Sequence, residues 1–310
     1  PAAVSLMSSA IDVKCFGGND GSLTLNTNGG TVPYQFVINN GNPQAGATFN
    51  NLTAGNYVIS VTDSMGCIVT ISDSVGQPTA LNAVASGQNV LCNGQSNGAV
   101  NVVVTGGVQP YLYQWAGGYT TSLVNNLPQG SYHVTITDFN GCTIQSSTNI
   151  TQPTAINLGL TPDPTICIGQ SASVTANANG GTPPYVYKWN TGHIGATLQA
   201  SPVITTTYNV FLTDSNGCNS PLRYANINVN PALALVLTDD DTLCEGQNTT
   251  LTATPSGGNG GPYSITWNGQ TQPSASITVA PLQTTNYVAT LTDGCTVMPA
   301  TANVVVLVNP

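Results

Sequence analysis

The amino-acid sequence predicts an all-β protein, a tandem array of four small immunoglobulin-like β-sandwich repeats with one disulfide in each. Three observations carry this prediction: cysteines that recur at a constant period, turn and strand signals in a fixed order within each period, and few helix-forming residues. Gly, Asn, Thr, Ser and Val dominate the chain, which is the usage of short strands joined by tight turns. Turn signals at intervals of roughly 8 to 12 residues are typical of a sandwich with six or seven strands.

The cysteines give the length of the repeat. Counted from the first member of each pair, the period is 77, 75 and 77 residues. The pairs are Cys15 and Cys67, Cys92 and Cys142, Cys167 and Cys218, and Cys244 and Cys295. We therefore expect repeats at 1–77, 78–152, 153–230 and 231–310, joined at Gln-Pro or Asn-Pro dipeptides.

Each repeat shows the same order of local signals. A Cys-x-Gly opening leads to an alternating strand, a Gly-Gly turn, a Pro-Tyr pair, a later strand that begins near a tyrosine, and a Thr-Asp turn before the closing cysteine. The period-2 pattern of residues 57–62 predicts a half-buried strand, with Tyr57, Ile59 and Val61 on its core face.

All eight cysteines are expected to form disulfides within their own repeats. A unit of about 75 residues buries little apolar surface and needs a covalent staple. Zinc sites use Cys-x2-Cys or Cys/His spacings, whereas every spacing here is 25 residues or more. Disulfides in turn indicate an oxidising, extracellular location. The near-constant spacing predicts the pairs Cys15–Cys67, Cys92–Cys142, Cys167–Cys218 and Cys244–Cys295.

The charge balance argues against two classes of partner. The chain has three Lys or Arg residues against twelve Asp or Glu, for a formal charge of −9. Such a surface offers no cationic patch to nucleic acid or to anionic lipid. Because no apolar stretch reaches about 18 residues, we expect no direct membrane insertion either.

A string of residues shared by repeats one and two carries a family resemblance. In repeat two the string is Cys92-Asn93-Gly94, Gly106-Gly107, Pro110-Tyr111, Trp115, Leu127, Gly130, Tyr132 and Thr137-Asp138-Phe139-Asn140-Gly141-Cys142. Repeat one has the same pattern, with Ile38 in place of the tryptophan. This string resembles the SprB-type repeat of cell-surface adhesins from gliding bacteria. Repeats three and four look more similar to PKD-type and Ig-like modules, because Thr205-Thr206-Thr207-Tyr208 and Thr284-Thr285-Asn286-Tyr287 precede their late strands.

The resemblance implies a function for the array. Repeats of this kind occur in long surface adhesins and filaments exported by type IX secretion, where they act as a stalk. We therefore expect a structural segment of an extracellular, cell-surface adhesin or filament, whose partners are neighbouring repeats and identical chains in a fibre. A carbohydrate- or protein-binding adhesive module is the alternative, against which four near-equivalent repeats argue. The chain begins and ends within the repeat pattern, so we expect a longer polypeptide.

Reactive side chains are too few to predict an enzyme. The two histidines are His133, at an outward-facing strand position, and His193, in a glycine-rich turn. If all eight cysteines form disulfides, no thiol is free to act as a nucleophile. The sequence therefore predicts no catalytic residues.

Two sets of aspartates are candidates for calcium. Those before the closing cysteines are better interpreted as caps of tight turns. The run Asp239, Asp240 and Asp241 is the stronger candidate because adjacent carboxylates repel one another, although a solvated linker between repeats three and four is favoured. We expect no cofactor beyond a weakly bound calcium there. The recurrent turn aspartates are Asp63, Asp138, Asp214 and Asp293.

Two further residue sets have competing interpretations. Trp115, Trp189 and Trp267 could stack on sugars, but their fixed place after Pro-Tyr favours a core position against the disulfide. Three Asp-Ser/Thr-aliphatic tripeptides resemble acceptors of bacterial periplasmic O-glycosylation, with plain turns as the alternative. Because a weakly charged surface needs another hydrated coat, we expect O-linked glycans on these hydroxyls. The acceptors would be Ser64, Ser74 and Thr242.

Overall fold

The chain folds as four β-sandwiches in succession, in agreement with the predicted fold class. A computed structural model describes residues 2–268, 274–295 and 298–309. The chain divides into two compact units, Pro1–Pro153 and Thr154–Pro310. The first unit holds sandwiches 1 and 2, and the second holds sandwiches 3 and 4. Within the described ranges, no helix is long and apolar enough to cross a membrane.

Sandwich 1 packs two antiparallel sheets against each other. Its strands are β1 (Ser5–Ile11), β2 (Gly21–Asn28), β3 (Gln35–Ile38), β4 (Thr48–Leu52), β5 (Gly55–Thr62) and β6 (Ile68–Val75). One sheet has the order β1-β2-β4 and the other β3-β5-β6.

Sandwich 2 repeats this topology. Its strands are β7 (Asn82–Gln88), β8 (Gly98–Thr105), β9 (Leu112–Trp115), β10 (Leu123–Leu127), β11 (Gly130–Thr137) and β12 (Thr143–Ile150). The sheets have the orders β7-β8-β10 and β9-β11-β12.

Sandwich 3 adds a short strand that pairs in parallel with its last strand. The strands are β13 (Asn157–Leu160), β14 (Thr165–Ile166), β15 (Ala172–Asn179), β16 (Val186–Trp189), β17 (Thr197–Ala200), β18 (Thr206–Thr213) and β19 (Arg223–Val229). The sheets have the orders β13-β15-β17 and β14-β19-β18-β16.

Sandwich 4 has the same arrangement as sandwich 3. The strands are β20 (Ala234–Leu237), β21 (Asp241–Cys244), β22 (Thr249–Ser256), β23 (Ser264–Trp267), β24 (Ser276–Val279), β25 (Thr285–Thr292) and β26 (Ala300–Asn309). The sheets have the orders β20-β22-β24 and β21-β26-β25-β23, and β21 runs parallel to β26.

Each sandwich encloses its own hydrophobic core, formed by the inward side chains of alternating strands. In β5, Ile59 and Val61 are fully buried and Tyr57 is half-buried, as the period-2 pattern predicts, while Val58 between them is exposed. The three tryptophans are also core residues, which excludes the sugar-stacking interpretation. The indole N–H groups of Trp115, Trp189 and Trp267 donate to the carbonyl oxygens of Thr121, Gly195 and Ser274.

The Gly-Gly turn is a point of close approach in every repeat. Gly106 and Gly107 both have positive φ, and the hydroxyl of Tyr111 donates to the carbonyl oxygen of Gly106 over 2.6 Å. A Cβ on Gly106 would clash with the carbonyl oxygen of Ala80, where the chain enters the sandwich. A Cβ on Gly107 would lie 2.8 Å from Oδ2 of Asp138. The turn therefore needs glycine for space as well as for conformation.

Gly106→Ala should destabilise repeat 2 more than Gly94→Ala does. Both glycines have positive φ, but a Cβ on Gly94 would meet open space. We expect a loss of about 1 kcal/mol for Gly94→Ala from conformation alone, and about 3 kcal/mol for Gly106→Ala, where the clash adds to it. Urea unfolding followed by Trp115 fluorescence, in a background carrying Trp189→Phe and Trp267→Phe, measures both. Equal losses would show that the close approach to Ala80 has no energetic weight.

Candidate functional site: disulfides between successive repeats

The two cysteines of a repeat lie at opposite ends of its sandwich. We call the end at which the chain enters a sandwich the entry end, and the end from which it leaves the exit end. β1 runs from the entry end to the exit end, so Cys15, which follows it, lies at the exit end. β6 runs in the same direction, so Cys67, which directly precedes it, lies at the entry end.

Backbone hydrogen bonds hold the opening cysteine at the exit end. Ahead of Cys15, the amide of Val13 donates to the carbonyl oxygen of Gly76, and the amide of Gly76 donates to Oδ1 of Asp12 over 2.6 Å. The segment before the cysteine is thereby fastened beside the end of the last strand. In the other repeats, Asn89 accepts an amide just after the last strand, and Asp163 and Asp240 accept amides within it.

The Cys-x-Gly opening forms a tight turn that contacts the joint to the next repeat. Gly17 adopts φ of 71°, and the amide of Gly18 donates to the carbonyl oxygen of Cys15 over 2.9 Å. The amide of Gly17 donates to Oε1 of Gln77, the residue before the proline of the joint. Gly94 and Gln152 make the same contact in repeat 2. The turn that carries the opening cysteine is therefore hydrogen-bonded to the residue just before the joint.

The closing turn is held at the entry end by a buried aspartate. Oδ2 of Asp63 accepts the amide of Thr31, just after the Gly-Gly turn, while Oδ1 accepts the amides of Met65 and Cys67. Asp138, Asp214 and Asp293 make the corresponding contacts in the other repeats. These contacts match the turn-cap interpretation of the recurrent aspartates.

The predicted disulfides within repeats are wrong. An eight-residue strand such as β5 spans roughly 25 Å, and this length separates the ends that carry Cys15 and Cys67. A disulfide needs Cα atoms about 4.4 to 6.8 Å apart. The expected pairs Cys15–Cys67, Cys92–Cys142, Cys167–Cys218 and Cys244–Cys295 are all absent from the described residues, because their members lie at opposite ends of a sandwich.

The structure instead joins the exit end of one repeat to the entry end of the next. Cys15 of repeat 1 bonds Cys142 of repeat 2, with Cα atoms 5.8 Å apart. Cys167 of repeat 3 bonds Cys295 of repeat 4, with Cα atoms 5.3 Å apart. The expectation that tryptophan packs against the disulfide is also wrong, since these bonds lie at the sandwich ends.

The other four cysteines complete the inventory. Cys92 and Cys218 are disulfide-bonded. Neither bonds the cysteine of its own repeat, because Cys142 and Cys167 are engaged as described above. Cys67 and Cys244 are free and exposed, so the expectation that no thiol is free is wrong as well.

Asparagine side chains support both junctions. Nδ2 of Asn140, in the closing turn of repeat 2, donates to the carbonyl oxygen of Lys14 in repeat 1 over 2.8 Å. Nδ2 of Asn230, at the joint between repeats 3 and 4, contacts the sulfur of Cys295 at 3.2 Å. The junction role of these residues was not predicted, although Asn140 lies two residues before a closing cysteine and Asn230 directly before a joint proline.

Each junction disulfide closes a long loop. The bond from Cys15 to Cys142 spans 127 residues and the bond from Cys167 to Cys295 spans 128. In the chain-entropy model, a loop of this length stabilises the folded pair of repeats by about 5 kcal/mol. The same bond provides a second covalent connection between the repeats, in addition to the peptide joint.

The acidic run does not gather into a metal centre. Among the described residues, no group of three His, Cys, Asp or Glu side chains is arranged to hold a metal ion. Oδ1 of Asp240 accepts the amide of Val305, and Oδ1 of Asp241 accepts the amide of Thr242. The side chain of Thr249 and this amide hold the pKa of Asp241 below its ordinary value. Asp239 and Asp240 lie between β20 and β21, and Asp241 is the first residue of β21, so the run lies within sandwich 4 and not in a linker as expected.

The remaining candidate residues lie on the surface. Ser64 is exposed in the closing turn of repeat 1, and its hydroxyl donates to the carbonyl oxygen of Thr31. Ser74 on β6 and Thr242 on β21 are also exposed. His133 is exposed on β11, as predicted, and His193 lies in a turn.

The architecture is that of a tandem array of immunoglobulin-like sandwiches linked by disulfides. The family model described as the SprB repeat matches residues 8–43, 85–120 and 159–193. Each match runs from the first strand of a repeat to just beyond the Pro-Tyr strand. Repeats 1, 2 and 3 of this immunoglobulin-like array thus contain SprB-type segments, and the third match shows that repeat 3 shares this character with repeats 1 and 2.

Solved structures of multidomain proteins, immunoglobulin-domain arrays among them, are similar to this chain at low identity. The three N-terminal domains of the bacteriophage RB49 outer capsid protein Hoc are 13% identical, with 74% of this chain and 100% of that chain covered and a TM-score of 0.40. Sidekick-1 immunoglobulin domains 1–4 are 12% identical, with 99% of each chain covered and a TM-score of 0.29. The eight N-terminal domains of Down syndrome cell adhesion molecule are 14% identical, with coverage of 99% and 48% and a TM-score of 0.29. Comparison with curated protein sequences found no match.

The repeat matches and the disulfides together indicate an extracellular repeat protein of adhesion type. Repeats of this class are generally not enzymatic.

Asp63→Asn should weaken repeat 1 at neutral pH and have less effect in acid. Amide hydrogen bonds from Cys67 and Thr31 hold the pKa of Asp63 below its ordinary value. The resulting stability is present above the unfolded-state pKa of about 3.9 and is lost as the pH falls through the lowered folded-state pKa. Calorimetric melting of both proteins from about pH 7 to about pH 2 should show the gap in Tm narrowing. The exposed Asp239→Asn is the control, and a pH-independent gap for Asp63→Asn would contradict this account.

Proposed function

We propose that this chain is a load-bearing stalk segment of a cell-surface adhesin or extracellular filament, in which disulfides between repeats limit extension. The observation that carries the proposal is the placement of Cys15–Cys142 and Cys167–Cys295, each of which crosses a joint between two sandwiches. A bond inside a sandwich would protect that sandwich but leave the joint as a single connection. A bond across the joint limits the extension of the sandwiches and also adds a second connection at the joint.

The path of a stretching force explains the advantage. A force applied to the two ends of a chain follows the shortest covalent path, so residues bypassed by a disulfide do not extend even when their sandwich unfolds. The bond between Cys15 and Cys142 bypasses a segment of 127 residues. Fully extended, such a segment would add roughly 430 Å. The array therefore loses little of its compact length under loads that unfold individual repeats.

The composition supports service outside the cell. The chain contains three Lys or Arg residues, so proteases that cleave after basic residues find few bonds to cut. Disulfides persist in oxidising compartments. Both features suit a structure that must last without replacement.

Removing one junction disulfide should lengthen the unfolded chain under force. In single-molecule stretching without reductant, Cys15→Ser/Cys142→Ser should reach a contour length roughly 400 Å greater than the unaltered protein, because the bypassed segment becomes part of the load path. Cys67→Ser removes a cysteine that is free in the structure, so it is the matched control and should leave the contour length unchanged. Equal lengths for the double variant and the unaltered protein would refute the load-path role.

We further propose that O-linked glycans coat this stalk. With five per cent of its residues charged, the surface has little electrostatic repulsion to keep neighbouring chains apart. Ser64, Ser74 and Thr242 are exposed and could carry a bulky group without disturbing a core. Peptide fragmentation of native material should find hexose-containing adducts on these hydroxyls, and the corresponding peptides of protein made in a host without O-glycosylation provide the control. Three unmodified sites in native material would refute the proposal.

A further inference from the structure

We propose that Cys67 and Cys244 are linking thiols that join this chain, head to tail, to further repeats of the same kind. Cys67 would bond the opening cysteine of a preceding repeat, and Cys244 the closing cysteine of a following repeat. The role of these thiols in extending a stalk rests on the proposed function. Their ability to form disulfides rests on the two junctions described above.

Cys67 occupies the same site as a cysteine that is already bonded across a junction. The amide of Cys67 donates to Oδ1 of Asp63 over 2.9 Å, and the amide of Cys142 donates to Oδ1 of Asp138 over the same distance. The reverse contacts, from the aspartate amide to the cysteine carbonyl, measure 3.1 and 3.0 Å. Two turns of one conformation thus present their sulfurs at the entry end, and that of Cys142 bonds Cys15.

Cys244 matches the bonded Cys167 in the same way. The amide of Cys167 donates to Oε1 of Gln170 over 3.1 Å, and the amide of Cys244 donates to Oε1 of Gln247 over 3.3 Å. Gly169 and Gly246 in these turns have φ of 88° and 86°. The opening turn that bonds Cys295 in repeat 3 is therefore already formed around Cys244 in repeat 4.

The surroundings of both thiols are those of an uncovered junction. Cys167 is 9% exposed, whereas the side chains of Cys67 and Cys244 are open to solvent. Asn230, which contacts the sulfur of Cys295, is half-buried. Asn309 occupies the same Val-Asn-Pro sequence position at the end of β26 and is exposed. Sandwich 4 thus presents both groups that repeat 3 uses at its junction, the cysteine and the asparagine.

The bond-forming step needs an oxidant of the disulfide class. One protein thiol attacks a small-molecule disulfide such as oxidised glutathione, which forms a mixed disulfide and releases one glutathione. The second protein thiol then attacks the protein sulfur of this mixed disulfide and displaces the second glutathione. The two protein thiols lose two protons and two electrons in forming one S–S bond, and two molecules of glutathione thiol are released.

A tandem duplication tests the proposal at high effective concentration of the two cysteines. The last residue of the first copy, Pro310, is omitted, so that Asn309 is followed directly by Pro1 of the second copy. This gives an Asn-Pro joint of the kind found between repeats 3 and 4. The first copy carries Cys67→Ser and the second carries Cys244→Ser, so the two linking cysteines at the new junction remain. After refolding with glutathione, we expect no free thiol in denaturant and a peptide that links Cys244 to Cys67. A control duplication that also carries Cys67→Ser in the second copy should show one thiol.

Two free thiols in the test protein would overturn the proposal. The peptides that join Cys15 to Cys142 and Cys167 to Cys295 are measured in the same digest and report separately on the junctions of the proposed stalk. If these linked peptides are found together with two free thiols, the proposed stalk function is retained and the linking role of Cys67 and Cys244 is refuted. Their absence would remove the proposed stalk as well.

Discussion

The direction of the first and last strands decides how this molecule is held together. Both run from the entry end of a sandwich to its exit end, because the chain enters at one end and leaves at the other. A cysteine after the first strand and a cysteine before the last strand are thereby placed a full strand length apart. They cannot bond each other, but Cys15 and Cys167 each bond the closing cysteine of the following repeat.

The buried turn aspartates make this placement rigid. Each carboxylate accepts amides from the closing turn with one oxygen and from the residue after the Gly-Gly turn with the other. The Gly-Gly turn can approach the carboxylate because its glycines have no Cβ. The hydroxyl of the tyrosine in the Pro-Tyr pair donates a hydrogen bond to the carbonyl oxygen of the first glycine. One local network thus connects the most recognisable signals of the sequence to the position of the closing cysteine.

The sequence predicted the core and the turns correctly because both depend on local pattern. Alternation placed Ile59 and Val61 inside, and the fixed position of Trp115 after Pro-Tyr indicated a core residue. The disulfide pairing failed because a period cannot distinguish bonds within repeats from bonds between successive repeats, since both recur with the same spacing. The order of elements held the missing signal: Cys67 directly precedes the last strand and Cys15 follows the first. The role of Asp240 was missed because its partner, the amide of Val305, is 65 residues away in sequence.

Bonding between repeats changes what the disulfide does for the array. A repeat of this size folds with a modest core, so a staple within each repeat would raise its stability while leaving the flexibility of the joint untouched. At the junction between repeats 1 and 2, the disulfide and the contact of Asn140 with Lys14 add to the peptide joint. Two separate covalent connections oppose bending in every direction except about the line that joins them. The same bond also makes the unfolded forms of the two repeats dependent on each other, because neither can lengthen freely while the loop is closed. Stability and stiffness therefore come from one covalent feature, and its geometry follows from strand direction alone.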